Sequence, residues 1–129
     1  MSVEMGCLYA AMVLALAHLT AASFSFKAQV GNRYTIGPRD EALRPCGLAG
    51  RLDRAQRNFL ETFPVFVAAV LMGQVLGKVG DLGSAGALLY IGGRVLFLPL
   101  YAWGVPWLRT FSWNIATLGL VLVMVQIVI

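Results

Sequence analysis

The chain has 129 residues, 59% hydrophobic and 12% charged, with a mean hydropathy of +0.77. An ordinary soluble domain carries about 45–50% apolar and about 25% charged residues, so a water-soluble core and a disordered chain are both excluded, and two cysteines exclude a disulfide scaffold. The net charge of +4 comes mostly from basic residues crowded into one connection, which is a topology signal and not a nucleic-acid face.

At roughly 20 apolar residues per crossing, the length holds four membrane spans and leaves no room for a second domain. The first span runs from about residue 6 to 26, GCLYAAMVLALAHLTAASFSF, without a charge. Only Glu4 precedes it, where a secretory leader would carry basic residues, so a retained span is expected. His18 inside it reads either as a packing histidine or as an intramembrane ligand or proton carrier. The chain holds no second histidine to share a metal site, which favours packing, and no metal site is expected. Cys7 reads as a small core residue and Cys46 as a loop thiol, with no disulfide between them.

Residues 27–50 form a polar connection, broken by Gly31-Asn32, Gly37-Pro38 and Pro45. Within it, Asp40 to Arg44 has the composition of a single helical turn. The remaining spans cover about 52–79, 82–103 and 106–129. Their turns are short, so neighbouring helices run antiparallel. The fold class is therefore all-α: an integral membrane four-helix bundle of left-handed, up-down topology. Lys27, Arg33, Arg39, Arg44, Arg51, Arg54 and Arg57 lie in the first connection or at the start of the second span, whereas the opposite side offers Lys78. The positive-inside bias makes the 27–50 connection cytoplasmic in a multi-pass membrane protein, with both termini on the other side. Trp103, Trp107 and Trp113 flank the same boundary as an aromatic belt would.

The second span opens RLDRAQRNFLETFP. Arg54, Asn58 and Glu61 fall on one helical face, and Arg57 stands one turn before Glu61, within reach of it. Pro64 frees the carbonyl of Leu60. The third span carries Arg94 near its middle and Tyr101 two turns later on the same face. A charge at bilayer depth costs about 2.5–3.5 kcal/mol on insertion scales, so Glu61 and Arg94 must face protein or water. Antiparallel helices bring Glu61, Arg94 and Tyr101 into the cytoplasmic half, with Arg54, Asn58 and Arg109 at its mouth.

Two uses of these charges remain open. They can anchor the second span in headgroups, with Arg94 and Glu61 as a buried pair that fixes register. Alternatively they line a cationic pocket, since the arginines outnumber any one structural partner. Gly92-Gly93 beside Arg94 suits close approach of a neighbouring helix or a ligand. Guanidinium groups grip carboxylates or phosphates bidentately and lower the pKa of a nearby thiol. The fitting guests are a small polyanion from water and a hydrophobic small-molecule substrate from the bilayer.

The run Arg54-Ala-Gln-Arg57-Asn58-Phe-Leu-Glu61-Thr-Phe-Pro64 resembles the second-helix signature of the MAPEG family, membrane-associated proteins in eicosanoid and glutathione metabolism. Gly93-Arg94-Val95 followed by Tyr101 is similar to that family's third-helix motif. The resemblance covers nearly the whole chain. It implies a homotrimer of four-helix subunits with glutathione as cofactor, bound between neighbours near the cytoplasmic face. Carried across, Arg54, Arg57, Asn58, Glu61, Arg94 and Tyr101 would hold glutathione, and Arg109 would be the catalytic arginine that stabilises its thiolate. Asp40 or Glu41 resembles an acidic loop residue near the thiol. Phe97 stands where one enzyme of the family has a histidine, and Lys27 where relatives have an arginine. The Gly-Asn-Arg-Tyr-Thr segment is closest to a bacterial branch, which implies a bacterial inner membrane. The implied activity is a membrane-bound glutathione-dependent transferase or peroxidase acting on lipophilic electrophiles. A non-enzymatic membrane protein that binds a lipid or scaffolds a partner is the alternative.

Overall fold

A computed structural model describes all 129 residues, and its regular structure is entirely helical. Helix α1 spans Val3–Val30, α2 Asn32–Ile36, α3 Gly47–Val75, α4 Asp81–Ala102 and α5 Pro106–Val128. Helices α1, α3, α4 and α5 are each long and apolar enough to cross a membrane. Polar contacts at both ends fix an up-down order. At one end Gln74 of α3 donates to Ser2 at the start of α1, Ser84 of α4 donates to Glu4 of α1, and Gly83 N–H donates to Gln126 of α5. At the other end Arg51 of α3 donates to the Ala102 carbonyl that closes α4, at 2.8 Å.

Local sequence explains where each helix stops. Ser2 Oγ caps α1 by accepting from Met5 N–H. The 28 residues of α1 reach about 42 Å, more than a hydrocarbon layer of about 30 Å requires. Gly31 ends it with a φ of +90°. Helix α3 finishes at Val75, four residues short of the end read from hydropathy. There Gly77 takes a φ of +66°, and Lys78 N–H turns back to the Gly73 carbonyl. Helix α5 opens on Pro106, whose missing N–H has no role in a first turn.

The connection corrects one expectation. The segment from Asp40 to Arg44 forms no helical turn, because Arg39 and Ala42 flank its start with left-handed φ values of 59° and 52°. The short helix is instead α2, just before it. Gln29 holds the returning strand of the connection, donating to the Arg44 carbonyl and accepting from Cys46 N–H, both at 3.0 Å.

Helices α4 and α5 form the most extensive pair, α1 packs mainly on α3, and α1 and α5 do not meet. The α4–α5 seam is built from small residues one heptad apart. A Cβ on Gly86 would lie 2.6 Å from the Gly119 carbonyl, and one on Gly93 would lie 2.7 Å from that of Ser112. Backbones therefore touch, as small-residue membrane seams allow. Gly92, expected to share this role, faces open space; Gly93 alone has it. Inside, Phe66 stacks on Tyr90 with ring centres 4.1 Å apart, and His18 stacks on Phe59 at 4.8 Å. Cys7 is buried and Cys46 exposed, both free. Large apolar side chains such as Leu16, Leu60 and Leu118 point outward, as lipid-facing residues do.

Candidate functional site

The site is built at the end of the bundle where α3 begins, α4 ends and α5 begins. Arg94 lies in α4 with no solvent exposure at all. Its Nη1 donates to Asn58 Oδ1 at 2.7 Å, and its Nη2 donates to Thr62 Oγ1 at 2.6 Å and to the Asn58 carbonyl at 3.4 Å. Three aromatic rings enclose the guanidinium, with Phe97 closest at 5.2 Å and Phe59 and Tyr90 at 5.9 Å. Thr62 in turn shares a hydrogen bond with Tyr90 Oη at 3.1 Å. No carboxylate forms an ion pair with Arg94, so the buried Arg94–Glu61 pair is not formed. Neutral oxygens and ring faces take its place.

Two turns nearer the end, Tyr101 connects two further arginines. Arg54 Nε donates to Tyr101 Oη at 3.3 Å, and the Arg109 guanidinium lies over the Tyr101 ring at 4.6 Å. Phe97 stands between Arg94 and Tyr101, so two rings separate the buried Arg94 from Arg109. Asn58, Phe97, Tyr101, Arg109, Thr110 and Trp113 line one open groove of about 260 Å³. Its size falls just under the ~300–1,000 Å³ usual for small-molecule sites. Trp113, which the sequence groups with the boundary tryptophans, belongs to this groove, and its indole N–H is enclosed without an acceptor. Trp103 and Trp107 are the exposed pair.

Of the seven residues singled out by sequence, Asn58, Tyr101 and Arg109 border the groove, Arg94 is buried behind Asn58, and the exposed Arg54 reaches the groove through its hydrogen bond to Tyr101. Arg57 and Glu61 are exposed and do not line the groove. Arg57 does not pair with Glu61 but with Asp53, one turn earlier, at 3.1 Å. That pair is largely solvated and contributes little to stability. Asp40 and Glu41 line a separate surface hollow with Arg33 and do not reach the groove. Lys27 borders a larger hollow of about 450 Å³ on the α1 side of α3, with Arg39, Asp53 and Gln56 on its polar rim.

Sequence reasoning missed Thr62 and the groove-side position of Trp113. Thr62 was within reach, since it stands one turn after Asn58 on the same face.

The groove presents N–H donors beside an apolar wall, which suits an anionic group on an otherwise greasy or peptidic molecule. Searches of curated proteins and of solved structures returned no match. The family model described as MAPEG family matches residues 4–129, essentially the whole chain. This chain is therefore a multi-pass integral membrane protein belonging to the MAPEG family.

Proposed function

We propose that this protein is a glutathione-dependent transferase or peroxidase acting on lipophilic electrophiles at the membrane. The observation that carries the reading is the groove in which Asn58, Tyr101 and Arg109 converge at the end of a bundle of this family. Glutathione would supply the nucleophilic sulfur. Arg109 has its guanidinium at the groove and a fixed ring beneath it, so its charge favours the anionic form of a thiol placed there. Asn58 and Tyr101 orient the peptide part, and Arg54 holds Tyr101 in place. The apolar outer faces give a hydrophobic acceptor direct access from lipid.

Assembly as a homotrimer completes this reading. Glu61 is exposed on the outside of the single bundle, beside the exposed Leu60 and Val65. A carboxylate at that depth is costly against lipid, which supports a second protomer covering it. A neighbour would also add a wall to a groove that is small for a tripeptide. The 27–50 connection is taken as cytoplasmic, the side on which glutathione is supplied.

Detergent-solubilised protein retained on glutathione-agarose and able to conjugate a model aryl halide supports the proposal. Failure of both removes glutathione from the account. The second reading, a non-enzymatic lipid-binding protein, is favoured by one observation: the larger hollow combines Phe24, Phe26, Ile36 and Leu43 with Lys27 and Arg39, a pattern suited to an acyl chain and an anionic headgroup. Retention on glutathione without turnover favours it.

A further inference from the structure

The family resemblance treats Arg94 as a residue that touches the bound molecule, but its complete burial forbids that. The groove wall in front of it is Asn58. A guanidinium only donates hydrogen bonds, so the Asn58 atom at 2.7 Å from Nη1 must be the carboxamide oxygen. The carboxamide is thereby turned so that its NH₂ is left without an intramolecular partner, on the groove side. Thr62 and the Asn58 carbonyl hold the other end of the same guanidinium, so Arg94 cannot swing away from this duty.

Tyr101 repeats the arrangement. Its hydroxyl oxygen accepts from Arg54 Nε, which directs the phenolic proton elsewhere. Arg109 brings further donors at the groove, whereas the Trp113 indole N–H is enclosed and does not face the guest. Thr110 is the sole counterweight, its hydroxyl donating back to the Pro106 carbonyl and leaving an acceptor on the rim. Three donor groups against one weak acceptor define the polarity of the groove.

We propose that Arg94 and Arg54 are positioning residues that lock Asn58 and Tyr101 as outward donors, so that the groove selects a carboxylate or comparable anion over an amine. This deepens the proposed function by saying which chemical end of the guest enters here, and it names Arg94 as acting through Asn58 and not by contact.

The test uses the full-length protein in detergent with Trp103→Phe and Trp107→Phe, both at exposed positions, so that Trp113 is the fluorescent reporter. Pentanoate, pentylammonium and glutathione are titrated against its emission. Saturable quenching by pentanoate but not by pentylammonium is expected. Asn58→Asp keeps a partner for Arg94 but replaces the outward donors, and should weaken pentanoate about tenfold or more, the scale of a hydrogen bond to a charged group. Arg94→Leu should weaken pentanoate in the parent, yet have no further effect once Asn58→Leu is present. Thermal unfolding of each variant confirms that it is folded. Equal response to the ammonium, no response to the carboxylate, or an undiminished effect of Arg94→Leu in the Asn58→Leu background overturns the inference. Pentanoate binding without glutathione binding leaves this inference standing and removes the proposed function.

Discussion

Thr62 shows how much depends on a side chain that carries no charge. It joins Arg94 and Tyr90 in one buried network, so Thr62→Val leaves an N–H of the guanidinium and the Tyr90 hydroxyl without their shared oxygen. A loss of about 1–3 kcal/mol is expected for orphaning such buried groups, read as a lower thermal midpoint in detergent. Arg109 is the opposite case, since it sits at the groove and over one ring, away from the core. Arg109→Ala should therefore keep retention on glutathione-agarose and lower kcat by about 100-fold or more, the usual scale for removing one charge-stabilising group. Unchanged turnover excludes its catalytic role. Spacing put Asn58 with Arg54 on one face of α3 and Arg94 with Tyr101 on one face of α4, and short turns brought those faces to the same end of the bundle. It did not identify which partner Arg94 would choose. Glu61 was the nearer guess by charge, but its position on α3 turns it outward, and that rotation is a property of packing.

At the level of helices, the four long apolar runs were legible from hydropathy, and so within one residue were the ends of α4 and α5, but those of α1 and α3 were not. Gly77 and Gly31 stop their helices through backbone geometry that an apolar window does not register. The α4–α5 seam gives the sharpest prediction here. Gly93→Val would press a branched side chain onto the Ser112 carbonyl and Ala116, so a loss of about 1–3 kcal/mol or more is expected. Gly92→Ala, one residue away, meets nothing, and should be neutral or stabilising by about 0.5–1 kcal/mol through helix propensity. Thermal unfolding of the two variants side by side checks the assignment, and equal destabilisation would show that the seam runs elsewhere. The sequence pointed to the Gly-Gly pair but not to the member in contact.

The whole molecule offers its own probe of orientation. Cys46 is exposed at the end that bears the groove, and Cys7 is buried near the other end. A membrane-impermeant maleimide should label Cys46 in inverted vesicles and not in intact cells, with Cys7 silent in both. Labelling in intact cells reverses the topology read from Lys and Arg. Composition and charge bias were enough to propose that orientation and the order of helices. They said little about the molecule's outer faces, because a lipid-facing leucine and a protein-facing one are the same residue in sequence.

Arg94 carries its positive charge inside the helices with oxygens and rings for company and no acid within bonding distance. A fixed charge lacking its own counterion projects a field beyond the protein, and a low-dielectric slab screens that field poorly. Anions in the adjoining water are thus drawn toward the opening before any contact is made. Their capture rate should fall steeply as ionic strength shortens the screening length, whereas the departure rate, governed by short contacts, should hardly change.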